Sequence, residues 1–240
     1  MATGSGSKGP QFEVFVFGHP KEGAESHEGQ LGACPFSHRV LLLLEEREVP
    51  YARTYVDASH KPDWVSKANP AGTLPILKDR ASGQYIADSD TISDFLEDKY
   101  AQGGEGPADV ARRRLGKVAD CPQPAPQLWP KFTAFLKAKG GEEEERAKRD
   151  LVEQLKMVEE AVPNEHPFVG GQEVDAWDCA LAPRLYLARE GCRLLKDWDW
   201  AEDYPNTRAY LHRMTGRASW RNTASWDDDC IVADLRRHME

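Results

Sequence analysis

The residue best placed to do chemistry is Cys34. It stands directly before Pro35-Phe-Ser-His-Arg-Val-Leu-Leu-Leu-Leu-Glu-Glu-Arg47, where proline at the first helical position and a long apolar run predict a helix from residue 35 to about Glu48. Cys34 is then the N-cap. The first N–H groups of a helix have no partner within it, so those of Phe36 and Ser37, with the positive end of the helix dipole, favour a thiolate over a thiol. Pro35 fixes the start, which places the sulfur at the terminus itself. The alternative, a buried inert cysteine, is the weaker expectation. Four residues make up a C-x-x-S pattern here, because Ser37 occupies the position of the second thiol in C-x-x-C. A hydroxyl cannot attack a mixed disulfide, so release of one formed at Cys34 requires a thiol from outside the chain.

A small, abundant cytosolic thiol such as glutathione meets that need if the fold offers it a seat. Leu74-Pro75 opens a strand after a Gly-containing turn. A proline there suits a cis bond that leaves the preceding backbone open to an extended ligand, although a trans proline on an edge strand is the default. Asp88-Ser89 begins a helix whose free N–H groups and hydroxyl can hold a carboxylate while Asp88 meets an ammonium; simple capping explains the pair equally well. His38, one turn beyond Cys34, is expected to be a partly exposed shoulder residue rather than a base for a cysteine hydrolase. The seven histidines are scattered without metal-ligand spacing to cysteine, so no metal site is expected. The acid run Glu142 to Glu145 reads as a solvated first helical turn, and the seven tryptophans as packing residues.

Around these residues the chain must supply a scaffold. Phe12 to Phe17 reads as a strand, and residues 18–33, rich in glycine, as a loop. A second strand follows at 51–56, a short helix or turn at 62–68, a hairpin over 74–78 and 84–87, and a helix from Asp88-Ser89 that buries Ile92, Phe95, Leu96 and Tyr100. Residues 101–107, Ala-Gln-Gly-Gly-Glu-Gly-Pro, read as a linker. Beyond them the pattern is helical: 108–137 broken near its prolines, 142–162, a well-capped central helix at 176–190, 203–214 and 227–237. The expected organisation is a tail (1–11), an α/β unit (12–100), the linker, and an all-helical unit (108–240).

Composition limits what the molecule does. With 31 Lys+Arg against 40 Asp+Glu the net charge is −9, which argues against nucleic acid as a partner. The longest apolar run, Val40 to Leu44, is far short of the roughly 20 residues that span a bilayer, so no membrane association is expected. The tail has neither a signal-peptide nor a transit-peptide pattern. Five cysteines in no repeating spacing read as thiols in a reducing compartment, with Cys121, Cys179, Cys192 and Cys230 structural. The expected location is the cytoplasm, with the plastid as the alternative.

Cys34-Pro-Phe-Ser-His-Arg-Val-Leu-Leu-Leu-Leu-Glu-Glu, Val49-Pro-Tyr, Lys61-Pro-Asp-Trp64, Asn69-Pro-Ala-Gly-Thr-Leu-Pro75 and Ala87-Asp-Ser-Asp-Thr-Ile92 together resemble the plant-type dehydroascorbate reductases of the glutathione transferase superfamily. Phe168-Val-Gly-Gly and Val174-Asp-Ala-Trp-Asp-Cys-Ala-Leu-Ala-Pro-Arg-Leu-Tyr186 extend the resemblance into the helical half. It implies a thioredoxin-like N-terminal domain, a helical C-terminal domain, and reduction of dehydroascorbate with glutathione as co-substrate and no permanently bound cofactor. It also implies roles: Cys34 as nucleophile, the backbone of Leu74 ahead of cis-Pro75 for glutathione, Asp88 and Ser89 for its γ-glutamyl end, and Lys61 for its glycyl carboxylate. Monomers are the usual state in this branch. The chain departs from the pattern at Ala33, where relatives carry an acid, and at Phe17-Gly18, where they carry a lysine; Leu187 and Leu235 replace a histidine and a tryptophan of some members. Lys21, His27 and Arg39 are the cations the sequence offers in compensation. Two other functions share the motif: a cysteine-type transferase with deglutathionylase activity, and a chloride-intracellular-channel-like protein that associates with membranes.

Overall fold

In a computed structural model that describes residues 9–101, 125–162, 165–224, 226–237 and 239, the aromatic and β-branched run becomes strand β1 (Phe12–Pro20). It is the centre of a mixed sheet. β4 (Tyr51–Val56) pairs parallel to it, from Phe12 opposite Tyr51 to Phe17 opposite Val56. On its other side β5 (Ile76–Asp79) runs antiparallel and pairs in turn with β6 (Tyr85–Ala87). A parallel pair needs a crossover, and helix α1 (Pro35–Glu46) provides it. Alternation along β1 sends Phe12, Val14 and Val16 into the main core with Leu41 to Leu44, while Phe15 joins Val56, Val65 and Ile76 on the opposite face, beneath helix α2 (Asp63–Ala68). α3 (Ser89–Ala101) packs beside α1.

The glycine-rich stretch is not a plain loop. β1 runs on to Pro20, and β2 (Glu25–Ser26) and β3 (Gly29–Leu31) extend the sheet, β3 antiparallel to the end of β1. A Cβ at Gly18 would lie 2.5 Å from the Gln30 carbonyl oxygen, and one at Gly29 2.4 Å from that of His19. These glycines permit a close strand approach rather than ending the strand.

The rest of the described chain is helical: α4 (Leu128–Lys137), α5 (Gly141–Ala161), α6 (Ala176–Lys196), a 3-10 turn (Trp200–Glu202), α7 (Pro205–Thr215), α8 (Ala218–Thr223) and α9 (Asp228–Arg236). α6 opens on a capping box. Asp175 accepts from the N–H groups of Trp177 and Asp178, at 2.8 and 3.0 Å, and Asp178 accepts from that of Asp175 at 3.0 Å. The helix runs six residues past the expected end at 190, because Gly191 serves packing and not termination: a Cβ there would meet Phe132 at 2.5 Å and Leu235 at 2.7 Å. Val40 to Leu44 are fully buried since α1 lies between the sheet and α6. One apolar cluster therefore joins the two halves, from Phe12 and Leu42 to Leu185, Ile231 and Leu235. Leu187 and Leu235 are core residues of that cluster. Of the linker expected at 101–107, Ala101 is the last residue of α3; residues 102–107, Cys121, and the first part of the helix expected from 108 lie outside the described residues. No helix among the described residues is long and apolar enough to cross a membrane.

Candidate active site

α1 begins as its sequence dictates, with Cys34 in extended backbone at the N-cap and Pro35 first in the helix. The Ser37 N–H donates to Cys34 Sγ at 3.5 Å. Ser37 is buried, and its Oγ accepts from the Phe17 N–H at 3.1 Å, tying the helix start to the end of β1. Phe36 turns away, its ring edge-on to Trp129.

The ionisation of Cys34 differs from the sequence expectation. Burial pushes the thiol above its ordinary range, and the Asp234 carboxylate pushes the same way; the N–H groups of Ser37 and Phe36 and the Ser37 hydroxyl oppose them without prevailing. Removing a half-buried sulfur from water disfavours its anion more than one helix terminus favours it. In the free protein Cys34 is a thiol at neutral pH.

A cavity of about 280 Å³ opens at this sulfur, lined by Phe17, Ala33, Cys34, Lys61, Leu74, Asp234 and Arg237 among others. Of the residues singled out from sequence, it brings together Cys34, Lys61 and Leu74. The Leu74–Pro75 bond is cis, and the β1–β5 ladder ends at Phe15 opposite Ile76, leaving Leu74 beyond it. Lys61 Nζ donates to the Gly72 carbonyl at 2.8 Å at the cavity edge. Asp88 and Ser89 lie outside the lining, at the start of α3. Asp88 is exposed, in left-handed backbone (φ 72°), and its Oδ1 accepts from the N–H groups of Asp90 and Thr91 at 2.9 and 3.0 Å. Ser89 is buried, its hydroxyl accepting from Arg39 at 3.4 Å.

The compensating cations named above do not face Cys34. Arg39 is buried and pairs with Asp90, steadying the first turn of α3. Lys21 pairs with Glu28, and His27 meets the Arg53 carbonyl. His38 is not a shoulder residue: it is fully buried, its Nε2 2.9 Å from Thr223 Oγ1 and its ring against the edges of Trp220 and Trp226. Burial, with Arg53 adding to it, lowers its pKa to about 3, so it is neutral and no acid–base group for Cys34.

What the sequence did not disclose is the part played by α9. Asp234, buried, accepts from the Ala33 N–H at 2.8 Å, one residue before Cys34, and meets His19 Nε2 at 3.0 Å. Trp226 Nε1 donates to the Leu31 carbonyl at 2.9 Å. The C-terminal segment thus clamps the loop that delivers the sulfur. Gly32 completes the fit: a Cβ there would fall 2.3 Å from the Phe17 ring. His19, Cys230 and Asp234 also bring donor atoms within 4.8 Å of one another, a convergence that sequence spacing hides and that the His19–Asp234 and Cys230–Asp234 hydrogen bonds explain. The Cys230 thiol is pushed up to about 12, by burial first and then by Asp234.

A family model described as the glutathione S-transferase N-terminal domain matches residues 33–99. A rice relative named probable glutathione S-transferase DHAR1, cytosolic (Oryza sativa subsp. japonica) is 35% identical over 209 residues, covering 87% of this chain and 92% of its own. Glutathione S-transferase DHAR3, chloroplastic, from Arabidopsis thaliana is 31% identical over 85% of this chain and 73% of its own. The crystal structure of Chlamydomonas reinhardtii dehydroascorbate reductase superposes with a TM-score of 0.77 at 28% identity, covering 95% of this chain and 98% of that one. A rice glutathione transferase solved with glutathione, 17% identical with a TM-score of 0.70, shares the fold.

Proposed function

The chain belongs to the plant-type dehydroascorbate reductases of the glutathione transferase superfamily, and from that premise we propose that it reduces dehydroascorbate to ascorbate with two glutathiones, Cys34 being the nucleophile. The observation that carries this is the placement of Cys34: an N-capping sulfur facing a cavity, with a buried serine where a resolving thiol would stand. In the first step Cys34 gives two electrons to dehydroascorbate. Water supplies the hydroxyl that bonds to sulfur and one proton; the thiol supplies the other; at neutral pH one of these protons stays on the enediol of the ascorbate anion and the other passes to solvent, and the sulfur becomes a sulfenic acid. One glutathione condenses with it, forming a mixed disulfide and expelling water. A second attacks the glutathione sulfur of that disulfide, giving glutathione disulfide and regenerating the Cys34 thiol.

The seat for glutathione follows the fold. Leu74 offers backbone beyond the end of the ladder, ahead of Pro75. Lys61 sets an ammonium at the cavity edge for the glycyl carboxylate. Asp88 and the first turn of α3 at Ser89 receive the γ-glutamyl ammonium and carboxylate. Pro35 fixes the first turn of α1, and Phe36 and Ser37 present the N–H groups that favour the sulfur when it ionises. The same proposal divides the chain into a tail (1–11), a thioredoxin-like glutathione-binding domain (12–100), a linker (101–107) and a helical domain (108–240). It takes the protein as a monomer with no resident cofactor, no metal, and no nucleic-acid or membrane partner. Relatives named cytosolic and chloroplastic support the cytoplasm, with the plastid as the alternative.

The test is glutathione-dependent ascorbate formation by the wild type and by Cys34→Ser. The serine variant loses about a thousandfold or more in turnover; substantial residual turnover rejects Cys34 as nucleophile. Running a glutathionylated peptide beside dehydroascorbate separates the reductase from a deglutathionylase, and a clear preference for the peptide rejects the reductase.

A further inference from the structure

The walls that the sheet-bearing half gives to the Cys34 cavity, among them Phe17, Ala33, Ala58, Thr73 and Leu74, carry one charge, that of Lys61. The other two charges in the lining, Asp234 and Arg237, come from the end of α9 and the residue that caps it. Lys61 is engaged at the Gly72 carbonyl, on the side given to glutathione. Arg237 is held differently. Its guanidinium lies 5.5 Å over the Phe17 ring and 3.9 Å from Asp234 Oδ1, an oxygen that is buried and has no hydrogen-bond partner among the described residues. An aromatic face on one side and a carboxylate on the other orient the planar fork while its edge stays exposed. Asp234 is itself fixed by Ala33 and His19, so the cation is indexed to the residue that precedes Cys34.

We infer that Arg237 binds and orients dehydroascorbate against Cys34, so that the last helix, rather than the thioredoxin-like half, selects the oxidised substrate. The inference rests on the reductase function proposed above. Dehydroascorbate carries neighbouring carbonyl oxygens that a guanidinium fork can bridge with two N–H donors, and its reduction product is an anion at neutral pH; Arg237 is the second cation of the lining and gains most as that charge develops. Asp234 is a positioning residue, acting through Arg237 and the Ala33 N–H.

The experiment is steady-state kinetics of Arg237→Gln and Arg237→Lys with each substrate varied, beside the rate at which uncharged iodoacetamide alkylates Cys34. Arg237 is exposed at a helix end, and an unchanged thermal midpoint checks the fold of each variant. The expected result for Arg237→Gln is a fall of about tenfold or more in kcat/KM for dehydroascorbate, with the KM for glutathione and the alkylation rate within about twofold of wild type. Arg237→Lys recovers only part, since an ammonium restores charge without the fork. An unchanged kcat/KM for dehydroascorbate in Arg237→Gln, with the wild type active, overturns the inference and leaves the reductase standing. An equal loss on both substrates overturns it as well, by making Arg237 a general structural support. A wild type that forms no ascorbate overturns the reductase and this inference together.

Discussion

The two walls of the Cys34 cavity are built by different means. On one side lie the start of α1, the turn before β5 and, beyond the lining, the start of α3, where each candidate group is placed by backbone devices a few residues long: an N-cap, a cis-proline, an Asx cap. On the other side Asp234 and Arg237 reach the sulfur across about two hundred residues of chain, held by side-chain contacts to Ala33, His19 and Phe17. The first wall offers N–H groups, which favour an anion; the second offers a carboxylate, which opposes it. Burial raises the Cys34 pKa most, and around it the local N–H groups of α1 and the distant Asp234 carboxylate pull in opposite directions.

Three experiments press on that balance, from the largest effect to the smallest. Because burial and Asp234 raise the Cys34 pKa above the ordinary thiol range, the thiolate fraction of the free protein is still growing throughout pH 7 to 9. Alkylation of Cys34 should therefore climb about tenfold from pH 7 to 8 and keep rising to pH 9. A rate that levels off near neutrality would mean that the helix terminus wins outright. Asp234→Asn should move the profile toward lower pH, since it removes the like charge.

Gly32→Ala strikes the seam between the walls. The added Cβ would overlap the Phe17 ring, so ring or loop must shift, and with it the sulfur and the surface under Arg237. The expected cost is about 1–3 kcal/mol in denaturant unfolding, with about tenfold lower kcat/KM for dehydroascorbate. Unaltered kinetics would show that the two walls are not coupled through this glycine.

Asp88→Asn touches the first wall alone. Asparagine tolerates the left-handed backbone and keeps the cap on α3, so only the charge is lost. The KM for glutathione should rise several-fold, about fivefold, while the KM for dehydroascorbate and the thermal midpoint hold. An equal rise for both substrates would erase the distinction between the walls.

The legibility of each element follows from the range of the forces that fix it. Cys34 at the N-cap, the capping box at Asp175 and the apolar run that buries α1 are set by neighbours within four residues and are written in consecutive letters. The stretch at 18–33 is read as a loop because glycine signals freedom as readily as close approach, and only the register of β3 against β1 shows which applies. His38 is taken for a surface residue because nothing near it in sequence announces that Trp220 and Trp226 will cover it.

By itself the sequence determined that Cys34 caps α1, that no second thiol follows it in the motif, and where the turn before β5 and the start of α3 lie, since all of these are short-range consequences of proline, cap residues and periodicity. Tertiary structure alone decided the charge that Cys34 carries and the groups that face it. Desolvation depends on everything packed around an atom, and the electrostatic partners Asp234 and Arg237 arrive only when α9 folds back over β1.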